Sequence, residues 1–387
     1  MTTIFEIVFF FISFLIVNSF LIYPLVVFLA GREKKGNDKN DHMEPTISVL
    51  IAAWNEEKVL AERIENIASQ NYNLTKLEVL VGSDASTDLT NFIIAEKQKK
   101  YAWLKVYISE KRIGKAGILN ELINNVNNEI LVFTDANTEF HSDALKNIVI
   151  DFADKKVGGV CGKLILIDDD KERSDGVEEI NYWKYETIIK QAEGKCGISL
   201  SANGGFFAIR KELYRTIPTE KAVTDDLFIS LSVVSQGSKF TYSEDAVAYE
   251  NTGKNLQAEY KRKVRFSATN FQTLVFFKSL LLNKNKFLSY AFFSHKVTRW
   301  FLPMLLLVVL ILSTFLSFSN QIYFGFLLTQ LFFYLLALIG FVLSHIKVRI
   351  QIFSLPYFFV VSNFAVVEGF IKFLKRKHSV IWQSTER

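Results

Sequence analysis

Two long stretches without a charged residue constrain this chain more than any other feature. Residues 7–31 and 301–346 contain no Asp, Glu, Lys or Arg. At a rise of about 1.5 Å per residue, a helix over 7–31 extends roughly 37 Å, enough to cross a hydrocarbon core of about 30 Å. The charged fraction of the whole chain is 22%, so charged residues are segregated rather than scarce. The two stretches exclude a purely soluble protein.

The first stretch is predicted to be an uncleaved membrane helix rather than a signal peptide. No Lys or Arg precedes it, its apolar run is too long for a signal, and no Ala-x-Ala-like site closes it. Arg32, Lys34 and Lys35 follow it at once, so the positive-inside rule places its C-terminal end in the cytoplasm. We therefore predict a membrane helix at 1–31 and a polar linker at 32–45.

The next region, residues 46–258, is predicted to form a cytoplasmic α/β domain. Apolar runs predict strands at 47–53, 77–82, 104–108 and 129–134. A helix is predicted at 55–70, because Leu60, Ile64 and Ile67 recur at helical spacing. Strands that alternate with helices indicate a mostly parallel sheet, whose ligands bind beyond the carboxyl ends of the strands. The polar residues after each strand are therefore the candidates for chemistry.

The C-terminal region is predicted to associate with the membrane. Residues 259–299 mix basic and apolar residues, which favours amphipathic helices at the membrane interface. Residues 300–346 fit a transmembrane hairpin that is broken near Ser317–Gln321. The segment 347–374 either spans the membrane or re-enters it. A full span would place the basic start of the tail, 375–387, outside, so the sequence favours a re-entrant or interfacial segment and a cytoplasmic tail.

Two acidic positions follow predicted strands in the α/β domain. Asp84 comes after the second strand, where a carboxylate can bind a base or ribose or can cap a helix, and for Asp88 the cap is favoured. Asp135 and Asn137 come after the fourth strand with one small residue between them. Two such oxygens can reach one hard cation that also bridges nucleotide phosphates, although ordinary turns often contain the same triplet.

A third acidic position is the pair Asp225 and Asp226, which precedes an apolar run. Two adjacent carboxylates can have pKa values that are pushed apart, so that one acts as a general base. A solvated helix N-terminus explains the pair equally well. The turn at 201–205, Ser-Ala-Asn-Gly-Gly, is flexible enough to let a substrate approach the backbone.

The order of these features resembles the membrane-integrated family-2 glycosyltransferases, the group of cellulose, hyaluronan and poly-N-acetylglucosamine synthases. It runs from the acid at Asp84 through Gly-Lys-Ala-Gly-Ile-Leu-Asn at 114–120, then Asp-x-Asn, Asn-Gly-Gly and Thr-Asp-Asp. A basic segment at 262–265 and membrane helices follow. The resemblance implies a GT-A-like nucleotide-sugar-binding domain in a multi-pass protein of the cell membrane.

The resemblance also implies roles on the side of the nucleotide sugar. The residues expected to bind this donor are Trp54, Glu56, Asp84, Lys115, Asp135, Arg262 and Arg265. Asp135 and Asn137 are expected to hold Mg²⁺ or Mn²⁺. Asn137 stands where the family has a second Asp, and its amide oxygen can still ligate the ion, with less charge. Asp226, with Asp225 beside it, is expected to be the general base that deprotonates the acceptor.

The remaining roles concern the acceptor. The residues expected to contact it are Asn203, Gly204, Gly205, Phe266 and Trp382. Arg262 and Phe266 stand where processive members have Gln and Trp, which leaves processivity open. Arg265 is kept and can neutralise a departing diphosphate.

The expected function is inverting, metal-dependent transfer of a hexose or N-acetylhexosamine from a nucleoside-diphosphate sugar, UDP by resemblance, to a growing exopolysaccharide. Single transfer to a polyprenyl-phosphate lipid is the alternative within this class. A transporter with a nucleotide-sensing domain is disfavoured because the apolar stretches lack buried charges. The expected partners are the donor, the acceptor, membrane lipid and an optional accessory membrane subunit. Nucleic acid is not expected, because much of the excess positive charge, +5 overall, lies near membrane ends.

Overall fold

The computed structural model describes residues 2–32, 44–167, 177–251, 256–346, 348 and 350–376. The chain divides into two compact units. Within the described residues, the α/β unit comprises 27–32, 44–167 and 184–251, and the helical unit comprises 2–26, 177–183, 256–346, 348 and 350–376. The tail from residue 377 lies outside the described residues.

An eight-stranded sheet forms the centre of the α/β unit. Its strands are β1 (Ile47–Ala53), β2 (Leu77–Asp84), β3 (Leu104–Ser109), β4 (Ile130–Thr134), β5 (Glu139–Phe140), β6 (Val157–Ile167), β7 (Phe207–Arg210) and β8 (Lys239–Asn251). They lie in the order β3-β2-β1-β4-β7-β6-β8-β5. The prediction of strands at four places in the first half of this unit is confirmed, with bounds that differ by at most two residues.

The expectation of a mostly parallel sheet needs correction, because the sheet is mixed. The first half, β3-β2-β1-β4, is parallel throughout, but β7 pairs antiparallel with both β4 and β6. At the far edge β5 is antiparallel to β8, while β6 and β8 are parallel. Helices also lie between the later strands in the sequence, so the alternation of strands and helices does not by itself fix the direction of each strand. The direction of β7 depends on its tertiary pairing with β4 and β6.

The helices of the α/β unit cover the sheet and carry part of the site. They are α3 (Leu60–Ala68), α4 (Thr90–Lys100), α5 (Gly114–Asn124), α6 (Ala144–Val149), the end of α7 (Val177–Lys195) and α8 (Asp225–Ser235), while α1 (Thr2–Val17) and α2 (Tyr23–Arg32) precede them in the chain. α5 lies very close to β2, because a Cβ on Gly82 would come within 2.3 Å of Ile118 Cγ2. All seven residues of β1 are buried, as expected for a continuous apolar run inside a covered sheet.

The helix predicted at 55–70 begins later than expected. Leu60, Ile64 and Ile67 are buried on one face, as their spacing predicts, but α3 starts only at Leu60. Asn55 has a φ of 56°, which interrupts a helical path. The backbone N–H of Glu56 donates to Thr90 Oγ1 (2.8 Å) instead of entering a helix. The residues that follow β1 therefore form a loop that is available to the site.

The helical unit contains both long and short helices. They are α9 (Leu256–Phe277), α10 (Lys286–Ala291), α11 (Thr298–Trp300), α12 (Leu302–Ser317), α13 (Gln321–His345) and α14 (Gln351–Leu374). Within the described residues, three helices are long and apolar enough to cross a membrane: Thr2–Arg32, Gln321–His345 and Gln351–Leu374. A fourth candidate is a bent pair, Lys286–Trp300 with Leu302–Ser317, whose parts meet at 70°. These helices are consistent with a membrane protein.

The break between α12 and α13 falls at residues 318–320, inside the predicted interruption at Ser317–Gln321. α14 is one continuous helix of 24 residues, so its length permits a full crossing that the charge pattern disfavoured. It packs beside α9, where Ser267 Oγ donates to the carbonyl of Val366 (2.9 Å). The number of crossings and the side on which each loop lies stay predictions.

Candidate active site

One lysine brings together side chains from three elements of the α/β unit. Lys115, in the first turn of α5, lies 2.8 Å from Asp135 Oδ1, just after β4. The same ammonium lies 2.9 Å from Asp225 Oδ2, at the start of α8. Three residues selected from separate sequence motifs therefore form one ion-paired cluster at the carboxyl end of the sheet.

The electrostatics of this cluster favour its charged state. Burial lowers the pKa of Lys115, but Asp135 and Asp225 raise it by more, so the net pKa lies above the ordinary lysine value. Burial raises the pKa of Asp225, and the ion pair and hydrogen bond with Lys115 outweigh that effect, so its net pKa is lowered. Asp225 therefore stays ionised at neutral pH as a fixed partner of Lys115.

Asp226 has the opposite environment, although it is the adjacent residue. Removal of its carboxylate from water and repulsion by Asp225 raise its pKa to about 6, against the weaker lowering effects of Lys115 and Lys190. Its Oδ1 accepts a hydrogen bond from the backbone N–H of Leu227 (2.6 Å). At neutral pH it is mostly ionised and close to its own pKa, as a general base requires.

The predicted acceptor turn lies against Asp226. A Cβ built on Gly204 would be 3.1 Å from Asp226 Oδ2, so a glycine here leaves space beside that oxygen. Gly205 faces inward, where a Cβ would lie 2.8 Å from Thr138 Oγ1. Asp226 therefore has one oxygen held by its own helix and the other facing the turn.

Asn203 is placed differently from the expectation. It is only 2% exposed, and every one of its polar atoms contacts protein. Its Oδ1 accepts from Lys190 Nζ (2.6 Å) and its Nδ2 donates to the carbonyl of Gly162 (2.8 Å). Its N–H donates to Cys161 Sγ (3.3 Å), and its carbonyl accepts from the N–H of Phe206 (2.9 Å). Asn203 thus anchors the turn, and a contact with the acceptor would have to replace one of these bonds.

Asp84 is also buried, with no exposed surface. Its carboxylate accepts from Arg112 Nε (2.9 Å) and from the backbone N–H groups of Ile113 (2.6 Å) and Gly114 (3.1 Å). These bonds fix the loop that leads into α5 and Lys115. The Arg112 guanidinium lies 3.7 Å from the centre of the Trp54 ring, so Trp54 and Arg112 form a stacked pair at this end of the site. The predicted contact of Asp84 with a base stays a prediction.

The loop that carries Trp54 and Glu56 is held by the loop after β2. Asn55 Oδ1 accepts from the N–H of Thr87 (2.9 Å). Asp88 Oδ1 accepts from the N–H of Thr90 (3.0 Å) at the start of α4, as predicted for a helix cap. Both side chains expected at the nucleoside therefore lie on a loop with a defined conformation.

The residues predicted to bind a divalent ion are partly exposed on one turn. Asp135 and Asn137 alternate there with the buried Ala136 and Thr138. Among the residues that the structure describes, no group of three His, Cys, Asp or Glu side chains is arranged to hold a metal. One carboxylate and one amide oxygen still fit Mg²⁺ or Mn²⁺, because such ions often take one or two protein ligands and complete their shell with water and substrate phosphate.

The predicted residues of α9 belong to the helical unit. Arg262 Nε lies 2.9 Å from Glu259 Oε2, and its terminal nitrogen lies 3.5 Å from Glu179 Oε1. Arg265 lies 5.3 Å from the centre of the Phe266 ring. Trp382 falls outside the described residues. The roles predicted for these residues in binding donor or acceptor therefore stay predictions.

Sequence reasoning missed three basic residues. Arg112 supports Asp84, Lys190 supports Asn203, and the buried Arg63 donates to Thr134 Oγ1 (2.9 Å) directly before Asp135. Arg112 had a usable signal, because it stands three residues before the lysine of the Gly-Lys motif. Arg63 and Lys190 lie within helices whose sequence alone does not distinguish a buried charge from a solvated one.

The chain is similar to known proteins in sequence and in fold. Residues 45–269 match the family model described as "Glycosyltransferase like family 2", which covers more than half of the chain. The chain is similar to "Probable glycosyltransferase YdaM" of Bacillus subtilis (strain 168), with 24% identity over 275 residues, 67% of this chain and 66% of that protein. It is also similar to "Beta-monoglucosyldiacylglycerol synthase" of Nostoc sp., with 38% identity over 118 residues, 30% of this chain and 25% of that protein. The chain thus spans under two thirds of the length of either relative.

A solved structure is similar over nearly the whole chain. It is the mannosyltransferase PcManGT from Pyrobaculum calidifontis in complex with GDP-Man and Mn²⁺. The TM-score is 0.70 at 20% identity, and the match covers 97% of this chain and 100% of that one. At this identity the likeness establishes a fold, and the fold is that of a GT-A-like glycosyltransferase with a mixed sheet.

Proposed function

The chain belongs to the family described as glycosyltransferase like family 2, and on that premise we propose that it moves one sugar from a nucleoside-diphosphate sugar to a hydroxyl group of a membrane lipid, with inversion. The hexosyltransferase class and the use of a nucleotide sugar follow from the family. The lipid acceptor, the inversion and the residue roles are the proposal.

One observation carries the proposal. Asp225 and Asp226 are adjacent, yet Asp225 is paired with Lys115 while Asp226 has a raised pKa and faces the Gly204 turn. A pair of carboxylates whose pKa values are pushed apart is the arrangement expected when one stays charged and the other exchanges protons. The site can therefore handle a leaving group and an incoming hydroxyl at the same time.

The proposed reaction is a single in-line displacement. The acceptor oxygen attacks the anomeric carbon, and its bond to the carbon forms as the bond from that carbon to the diphosphate oxygen breaks. The acceptor proton moves to the carboxylate of Asp226, and the bonding electrons leave with the nucleoside diphosphate. In this proposal the ammonium of Lys115 neutralises that developing charge. One displacement inverts the anomeric configuration.

Asp135 and Asn137 are the residues that would hold a divalent cation, which when bound supplies further positive charge to the leaving diphosphate. Lys115 contacts Asp135 Oδ1, so in this proposal the ammonium and a cation held by Asp135 would both supply positive charge to the diphosphate.

Two observations support a lipid acceptor over a growing polysaccharide. One of the similar proteins is named a β-monoglucosyldiacylglycerol synthase. Arg262 and Phe266 differ from the Gln and Trp of processive members, and Arg262 is paired with Glu259. UDP is proposed as the nucleotide on the basis of the resemblance alone.

The test uses the full chain in nanodiscs with Mg²⁺ or Mn²⁺. UDP-glucose, UDP-N-acetylglucosamine and GDP-mannose would be offered in turn, with dioleoylglycerol or a polyprenyl phosphate as acceptor. Release of nucleoside diphosphate and the extraction of radiolabelled product into organic solvent would be measured. Asp226→Asn is the test variant, and Asp245→Asn, the same change at an exposed position, is its matched control.

An extractable product that depends on Asp226 and not on Asp245 is the expected result. A product of high molecular mass would show that the acceptor is a polysaccharide and not a lipid. Equal turnover in the wild type and Asp226→Asn would remove Asp226 as the base. The absence of transfer from all three donors to both acceptors would contradict the proposed function.

A further inference from the structure

The end of α7 that belongs to the α/β unit has a charged face turned inward. Glu186, Lys190 and Glu193 are spaced four and three residues apart, so they lie on one side of the helix. They are 8%, 7% and 0% exposed. A buried ammonium is costly unless specific partners compensate for its lost hydration. The groups that Lys190 contacts therefore show which part of the protein its charge stabilises.

One partner of Lys190 is the turn beside Asp226. Lys190 Nζ donates to Asn203 Oδ1 at 2.6 Å, and Asn203 in turn uses its amide, N–H and carbonyl to bind Gly162, Cys161 and Phe206. Three residues before Asn203 in this loop, the N–H of Leu200 donates to Glu193 Oε2 on α7 (3.3 Å). Two residues on the same face of α7 thus hold the loop that leads to Gly204.

A second set of bonds ties the same loop to the helix of the base. The N–H of Ala202 donates to Ser230 Oγ (2.9 Å), and Ser230 Oγ donates to the carbonyl of Asp226 (2.6 Å). Gly204 follows Asn203 directly and faces Asp226 Oδ2. The separation of Gly204 from the carboxylate is therefore set through Ser230 on α8 and through Lys190 on α7.

Lys190 also acts on Asp226 through its charge. The charged and titratable groups around this carboxylate are Asp225 on α8, Lys115 on α5, Lys190 on α7 and the Cys161 thiol on β6. The two lysines lower the pKa of Asp226, and Asp225 raises it.

We propose that Lys190 is a positioning residue for the acceptor side of the site: through Asn203 it holds Gly204 beside the Asp226 carboxylate, where an acceptor hydroxyl must approach. The inference rests on the proposed function, in which Asp226 is the base. It adds a buried residue of α7 that no sequence motif selects. Its consequence is that acceptor use can be impaired without a change in donor binding.

The test compares Lys190→Met, which removes the charge and the hydrogen-bond donor, with Lys190→Arg, which keeps both. Lys195→Met, at a position 60% exposed on the same helix, is the matched control. The first measurement is hydrogen–deuterium exchange of the segment 199–206 in the full chain, which needs no substrate. Lys190→Met is expected to speed exchange in this segment by about tenfold or more. Lys190→Arg and Lys195→Met are expected to resemble the wild type.

The second measurement is kinetic, with the most active donor of the panel above and its acceptor. Lys190→Met is expected to lower turnover with little change in the KM for the nucleotide sugar. It is also expected to move the acidic limb of the pH profile to higher pH by roughly 0.5 unit or more, because a positive charge near Asp226 is lost. Lys190→Arg is expected to keep the wild-type pH profile, because arginine carries the same positive charge.

A third comparison tests the route through Asn203. If Lys190 acts through this residue, Lys190→Met combined with Asn203→Ala lowers turnover no further than the more damaging single change. Unchanged exchange in Lys190→Met would overturn the inference, and so would faster exchange with an unmoved pH profile. If wild-type protein transfers no sugar, the proposed function fails, while the exchange measurement still decides whether Lys190 holds the turn.

Discussion

The two sides of the candidate site are built in different ways. On the proposed donor side, the partly exposed Lys115 pairs with the carboxylates of Asp135 and Asp225. On the proposed acceptor side, Asn203 is buried and accepts a hydrogen bond from Lys190, and the backbone of Gly204 lies next to Asp226. A diphosphate requires strong charges in contact with it, whereas a hydroxyl requires space and an accurately placed base. Under the proposed function, charge would recognise the donor and shape would admit the acceptor.

The largest effect is expected from Asp226→Asn, because this residue serves both sides. An amide cannot take the acceptor proton, so turnover should fall by about 10²- to 10⁴-fold. The measurement is nucleoside-diphosphate release with saturating donor and acceptor. Asp245→Asn should retain wild-type activity, and a loss of less than tenfold in Asp226→Asn would show that another group is the base.

The substitution Lys115→Met tests the proposed donor side of the site separately from the acceptor side. Lys115→Met leaves Asp135 and Asp225 without their shared cation, and the leaving diphosphate loses a positive charge. Turnover should fall by about 10²- to 10³-fold, which is the cost of one electrostatic stabiliser in a typical active site. Titration with UDP should also show weaker binding. If UDP bound as in the wild type, Lys115 would belong to the scaffold rather than to the donor subsite.

Gly204→Ala addresses the acceptor side alone. The added Cβ would lie 3.1 Å from Asp226 Oδ2, in the space proposed for the hydroxyl. We expect catalytic efficiency toward the acceptor to fall by about tenfold, the effect of a small misplacement near the reacting atoms, with an unchanged KM for the donor. Gly325→Ala in α13 is the control, because nothing lies within 4 Å of its Cβ position. A rise in the donor KM instead would contradict the division into two sides.

The pH dependence gives the smallest effect and sharpens the assignment of the base. The pKa of Asp226 is raised to about 6, and the base must be ionised to act. kcat/KM should therefore be nearly constant above that value and fall by about tenfold per pH unit below it. The pKa of Asp225 is lowered, so this residue adds no limb near neutrality. A profile that stays flat down to pH 5 would be incompatible with Asp226 as the base.

Prediction from sequence succeeded where a local pattern and a burial pattern coincide. The strand at Ile47–Ala53 has the predicted bounds, because an apolar run of that length is buried on both faces inside a covered sheet. The loop before α3 was predicted to be helical, and that prediction was wrong. The hydrogen bond of Glu56 with Thr90 joins segments that are distant in the sequence, so no local pattern shows it. For the same reason the antiparallel pairing of β7 with β4 and β6 could not be anticipated.

The sequence by itself determined the class of the protein and the positions of its chemistry. Long uncharged runs, alternating strands and helices, and a fixed order of short motifs are local properties, and each constrains the structure around it. Only the tertiary structure decided which of those residues are exposed in the site and which are buried and hold other residues in place. Asp84 and Asn203 have the residue types of ligands, but Arg112 and Lys190 already occupy their oxygens. Burial and partner choice arise from segments far apart in the chain, and no local pattern encodes them.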